Sequence, residues 1–230
     1  MTRILLILYL LLSLLHLYAE QQRLEPLILS TKPLLLTVLS LWFYLRLRPL
    51  RGRDARFILA GLIFSIGGDT LLMLVGNGPK NEDFFLLGLG SFLLAQLCYL
   101  LGFVFFPGAG EGNVARKPWR AWPFLLYWIA ILGTLWPYLP TPMRLPVGVY
   151  SLAIVGMATA AYNLRPHLTK AIFWGLMGGV LLFVLSDSLI ALNKFMGAEV
   201  RIPQARVLIM TTYLLGQFLI ARSVVLAKES

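Results

Sequence analysis

Long apolar runs alternate along the chain with short polar separators that carry proline or glycine, a pattern that predicts helices throughout. A window of about 19 residues marks eight apolar segments, at 3–19, 32–46, 56–76, 84–106, 121–139, 145–163, 170–193 and 205–226. Each approaches the ~20 residues that a bilayer-spanning helix needs. The second is short and is expected to extend back through Leu27–Ser30. The separators hold the expected breakers: Glu25–Pro26, Arg48–Pro49, Gly76–Pro79, Pro107–Pro118, Pro140–Pro146, Pro166 and Gly197–Pro203. Ser30 or Thr31 followed by Pro33 reads as an N-cap and first-turn proline opening the second helix. Arg3 precedes an apolar stretch ending at Ala19, but Leu17 sits where a cleavage site needs a small residue, so this segment is expected to be a span rather than a signal peptide. The expected fold is all-α: a polytopic membrane bundle of eight transmembrane helices, forming a single domain over residues 1–230.

Composition removes the soluble alternatives. The chain is 59% hydrophobic and 13% charged, with a mean hydropathy of +0.79, whereas globular chains carry about 25% charged residues. Eight spans leave only short connections, so no separate soluble domain is expected. The net charge of +10 raises the question of nucleic acid, but the basic residues cluster at the segment ends. Assigned to alternate sides, thirteen lysines and arginines share the side of the termini and seven lie opposite. That bias predicts both termini in the cytoplasm, with the basic loops facing anionic lipid and no nucleic-acid partner. The expected location is an integral, multi-pass position, in the inner (cell) membrane if the source is bacterial. One cysteine, Cys98, and two distant histidines, His16 and His167, supply no disulfide and almost no metal ligands, so neither metal nor organic cofactor is expected.

Two carboxylates contradict the pattern. Eight of the ten acids fall in expected loops or tails; Asp69 and Asp187 fall inside apolar segments. Each costs roughly 2.5–3.5 kcal/mol near mid-helix on insertion scales, and such residues face the bundle interior. Counted from Arg56 and Lys170, the two aspartates lie about 20 and 26 Å along outward-running helices at 1.5 Å per residue, which puts both in the outer half of the bilayer. Their surroundings also match: a small residue before (Gly68, Ser186), a hydroxyl after (Thr70, Ser188), then leucine. This hints at a four-helix tandem repeat. Other polar side chains fall at the same level. Lys32 opens the second helix, and Lys194 lies seven residues after Asp187 on the same face. Gln96 with Tyr99, and Tyr213 with Gln217, share faces at i,i+3 and i,i+4 spacing. A serine-hydrolase elbow is absent, and Gly108–Gly112 follows no strand, so it is not a phosphate cradle. The Gly67–Gly68–Asp69 stretch resembles part of the diaspartyl intramembrane protease signature, but no Pro-Ala-Leu element accompanies it.

Taken together, Lys32–Leu35, Ser65–Met73, Phe85–Phe103, Leu182–Phe195 and Tyr213–Ala221 resemble the YhhN family of polytopic membrane proteins over nearly the whole chain. The two Asp-centred motifs are the most specific parts. The resemblance departs at Gln96, where the family leads one to expect histidine in many members. It implies a lysoplasmalogenase, which hydrolyses the vinyl-ether bond of a lysolipid within the bilayer to a fatty aldehyde and glycerophosphoethanolamine or glycerophosphocholine. Vinyl ethers cleave by protonation of the β-carbon, giving an oxocarbenium-like cation that captures water. One protonated and one ionised carboxyl suit that chemistry, as in glycosidases, and two carboxylates close together in low dielectric cannot both ionise easily, so the pair holds a proton between them. Asp69 and Asp187 are therefore the expected catalytic pair. Lys32 and Lys194 are candidates for the phosphate end, Gln96, Tyr99, Tyr213 and Gln217 for orienting water or the glyceryl part, and Asn193 is a further candidate for binding the substrate. The alternative is a transporter in which the same aspartates couple protons to movement of an amphiphile; a diaspartyl protease stands third.

Overall fold

The computed structural model describes residues 2–75, 81–197 and 199–229, with Asn81 and Glu82 described by backbone alone. The expected separator at Gly76–Pro79 and the basic residue Lys80 lie outside the described residues. The described residues form nine α-helices: α1 (Thr2–Gln22), α2 (Glu25–Leu47), α3 (Arg53–Met73), α4 (Asn81–Val104), a single turn α5 (Asn113–Arg116), α6 (Trp122–Leu135), α7 (Thr141–Asn163), α8 (Lys170–Phe195) and α9 (Ala205–Glu229). Seven of them are long and apolar enough to cross a membrane, and the protein is an integral, multi-pass membrane protein. The fifth expected span, 121–139, differs from expectation: Pro123 and Pro137 confine its α-helical part to the 14 residues of α6, flanked by 3-10 turns at 118–121 and 136–138.

The second helix also begins elsewhere than Ser30 or Thr31. It starts at Glu25 with Pro26 in its first turn, and Pro33 lies inside it. The hydroxyls of Ser30 and Thr31 donate back to the Leu27 carbonyl at 3.1 and 2.6 Å, the bond that mid-helix hydroxyls make instead of capping.

Helices pair through small residues, as bilayers favour because lipid provides no hydrophobic drive between helices. The closest pairs are α3 with α4 and α8 with α9. A Cβ built on Gly179 would lie 2.8 Å from the Ile220 amide nitrogen and 2.9 Å from the Gly216 carbonyl oxygen, so α8 and α9 touch backbone to backbone. Gly61 takes the Tyr99 ring against its backbone in the same way, joining α3 to α4. Helix α9 is central and packs on α1, α2, α3 and α8, while α4 packs on α7 and joins the two halves. Leu35, Leu39, Phe43, Leu62, Phe103 and Phe183 fill the interior. Ile4, Leu11, Leu14, Ile63, Leu126 and Leu145 stand more than half exposed, an apolar exterior suited to lipid.

Four of the acids expected in loops instead close the ends of helices. Glu229 takes Arg46 at 2.5 Å, and a buried Asp54 pairs with Lys228, which fastens α9 to α2 and α3. At the opposite end Arg206 of α9 bridges Glu20 of α1 at 2.6 Å and Glu25 of α2 at 2.9 Å. Beside them the buried His16 makes a 2.7 Å hydrogen bond with Thr31 through Nδ1.

Candidate active site

Asp69 lies in the interior of α3, where the small Gly68 beside it lets the Phe92 ring of α4 pack against the backbone. The residue is 4% exposed and both carboxylate oxygens are engaged. The Tyr213 hydroxyl of α9 donates to Oδ2 at 2.8 Å, and the Lys32 ammonium of α2 stands 4.0 Å from Oδ1. Burial of an ion without such partners would be prohibitive.

Asp187 on α8 is built differently. The Tyr150 hydroxyl of α7 donates to Oδ2 at 2.6 Å, and the Gln96 amide of α4 donates to the same oxygen at 2.9 Å. Among the described residues, nothing bonds Oδ1 and no cation pairs with this carboxyl.

A register relates the two sites. Positions 118 apart include Lys32 and Tyr150, Asp69 and Asp187, Tyr99 and Gln217, and Gly61 and Gly179. Each aspartate thus takes one partner from the second helix of its own half and one from the last helix of the other half. Tyr99 and Gln217, equivalent in this register, bond one another: the phenol donates to Oε1 at 2.5 Å. The Gln217 amide then donates to Ser65 at 3.1 Å. All three are fully buried.

An apolar cavity lies between α4, α6, α7 and α8. Its walls are chiefly leucine, isoleucine, valine and phenylalanine, broken by Asp187, Tyr150, Tyr127, Ser151, Ser188 and Lys194. Tyr127 and Ser188 hydrogen-bond across it. Asp69 is not among the lining residues; Phe92, which does line it, packs edge-on against Tyr213, with ring centroids 5.9 Å apart.

The structure thus gathers Lys32, Asp69 and Tyr213 at one carboxyl, Gln96 and Asp187 at the other, and Tyr99 and Gln217 between the halves. Lys194 lines the cavity with its ammonium 4.8 Å from the Phe85 ring centroid, whereas Asn193 is exposed and outside the lining. Sequence reasoning missed Tyr150, Tyr127 and Phe92. Tyr150 was within reach of it, because the register that carries Asp69 onto Asp187 carries Lys32 onto Tyr150. Among the described residues no group of three or more His, Cys, Asp and Glu side chains gathers to hold a metal ion.

Comparison with known proteins adds an independent line. The sequence matches the YhhN family over residues 27–224. Lysoplasmalogenase TMEM86A of Homo sapiens is 30% identical over 213 residues, which cover 89% of this chain and 82% of the relative. Lysoplasmalogenase TMEM86B of Sus scrofa is 32% identical over 190 residues, 82% of this chain and 72% of the relative. A lysoplasmalogenase of Mycobacterium tuberculosis is 32% identical over 149 residues, 63% of this chain and 52% of the relative. The chain spans about half the length of the mycobacterial relatives that it matches. No solved structure matches it. A family match from the start of α2 to the last turns of α9, taking in both aspartates and every side chain that bonds them, means that the chain belongs to the YhhN family.

Proposed function

We propose that the protein is a membrane lysoplasmalogenase, an ether hydrolase that cleaves the vinyl-ether bond of lysoplasmalogens to a fatty aldehyde and glycerophosphoethanolamine or glycerophosphocholine by diaspartyl acid–base catalysis. The observation that carries this reading is a carboxyl with one free oxygen on the wall of an apolar cavity, in a bundle whose other interior carboxylate, Asp69, is buried beside Lys32. The names of the relatives agree with it. The cavity takes a single alkenyl chain among its aliphatic walls, and Lys194 receives the phosphate. A cation of the oxocarbenium type forms beside two carboxyl groups in a site with few other polar atoms, where electrostatic stabilisation is strongest. Detergent-purified protein should release free aldehyde from a lysoplasmalogen, and Asp187→Asn should lower the rate by about 10²–10⁴-fold, the usual range for a general acid. A transporter using the same aspartates releases no aldehyde, so intact lysolipid after prolonged incubation refutes the reading.

The topology proposed with it has eight crossings and cytoplasmic termini. Helix α6 spans about 21 Å at 1.5 Å per residue, and its flanking 3-10 turns add up to about 14 Å at 2.0 Å per residue. Exposed Trp119 and Trp122 stand at one end of this segment, and Trp136 and Tyr138 at the other, a pairing that supports two membrane interfaces.

A further inference from the structure

The two halves of the protein present their aspartates with the same architecture and different chemistry. In the register of 118, the first half places Lys32 where the second places Tyr150. Asp69 therefore faces an ammonium at 4.0 Å and Asp187 a neutral phenol at 2.6 Å. A carboxyl beside a cation in a low-dielectric interior is held in its ionised form, because removing the charge would leave the ammonium buried without a counterion. A carboxyl that receives two neutral donors on one oxygen, and none on the other, can keep a proton on the second oxygen at no loss of hydrogen bonds. Asp187 alone of the two lines the cavity.

Resting on the reading of the site as a vinyl-ether hydrolase, we propose that Asp187 carries the catalytic proton on Oδ1 and serves in turn as acid and base, while Asp69 remains an anion fixed by Lys32 and Tyr213 that offsets the cationic intermediate through space. In the first step the Oδ1 proton passes to the alkenyl β-carbon. The double-bond electron pair forms the new C–H bond, and positive charge settles on the ether carbon and oxygen. The Asp187 carboxylate left behind is stabilised by Tyr150 and Gln96 on Oδ2. Water then adds to the ether carbon and returns a proton to Oδ1. The hemiacetal gives its hydroxyl proton to the departing glyceryl oxygen, and the aldehyde is released. One water is consumed and the acid is restored. Asp187 is the catalytic residue; Asp69 is a positioning residue that acts by its field.

The titratable and charged groups that face the pair are Lys32 of α2, Tyr213 of α9 and Tyr9 of α1 around Asp69, and Tyr150 of α7 and Tyr127 of α6 around Asp187. The cation on the Asp187 side is Lys194 of α8, which lines the same cavity with its ammonium against the Phe85 ring and forms no ion pair with the carboxyl.

Two measurements of aldehyde release in detergent separate the roles. In Asp187→Gly, added formate should raise the rate at least about tenfold, because formic acid reaches the cavity and supplies the missing proton. In Asp69→Gly it should restore nothing. Rescue of Asp69→Gly, or of neither variant, overturns the proposal. Should a glycine variant fail to fold, the isosteric variants decide. The residual rate of Asp69→Asn should keep the alkaline fall of the wild-type pH profile, and that of Asp187→Asn should be flat. The opposite pair of profiles assigns the proton to Asp69 and overturns the proposal. Failure of the hydrolase reading is distinct from either, since wild-type protein would then release no aldehyde.

Discussion

At the scale of the residue, the geometry around Asp187 suits Tyr150 to support the proposed reaction. Both donors converge on Oδ2, so the negative charge that the proposed proton transfer leaves would be shared by a phenol at 2.6 Å and an amide at 2.9 Å. A hydrogen bond to a charged group contributes ~1.5–3 kcal/mol, and this one strengthens as the proton departs. Tyr150→Phe should therefore lower kcat about ten- to hundredfold, measured as aldehyde released at saturating lysoplasmalogen. Gln96 illustrates how little of this was visible beforehand. Its i,i+3 partner on the helix face is Tyr99, yet the two do different things: the Gln96 amide bonds Asp187, while the Tyr99 phenol bonds Gln217. A shared helix face indicates direction, whereas the identity of the partner comes from whichever helix packs there.

At the scale of the element, close approach of backbones determines where the aspartates can meet. A Cβ on Gly179 would fall within 2.9 Å of backbone atoms on α9, which cannot rotate out of the way as a side chain can. Gly179→Val should separate α8 from α9 and lower stability by about 1–3 kcal/mol or more, as overpacking does, seen as an earlier thermal transition in detergent. The neighbouring Gly178 has nothing within 4 Å of its would-be Cβ. Gly178→Ala should leave the transition unchanged or raise it slightly, because alanine is the better helix former. The same local reasoning accounts for the start of α2. Pro33 resembles a first-turn proline, but Pro26, seven residues earlier, already fills that role. Proline inside an apolar helix is tolerated where neighbouring helices and hydroxyl groups satisfy the freed backbone.

At the scale of the whole molecule, charge at the helix ends closes the bundle and underlies its proposed orientation. With the eight crossings proposed above, thirteen basic residues fall on the side of the termini against seven opposite, which predicts that a reporter fused after Ser230 reads the cytoplasm and one inserted in the connection at residues 76–80 reads the other side. Activity-dependent reporters of opposite compartment preference check this, and both on one side would require a different number of crossings. Ion pairs give α9 its place: Arg46–Glu229 and Asp54–Lys228 at one end, and Glu20–Arg206–Glu25 at the other. These partners lie far apart in sequence, which is why the acids involved passed for loop residues when read in order.

The sequence by itself determined the helical class, the approximate segments, the two interior carboxylates and the family, because apolar length and an acid inside an apolar run are local signals. The equivalence of the two Asp motifs was legible from their flanking small and hydroxyl residues. Only the tertiary structure decided that Lys32 meets Asp69 while Tyr150 and Gln96 meet Asp187, and that one carboxyl alone borders the cavity. The physical reason is that helices uniformly apolar around their circumference carry little sequence signal for which face turns inward. Glycine contacts such as that of Gly179 with Gly216 bring particular faces together across the bundle, and this packing gives each carboxyl its partners.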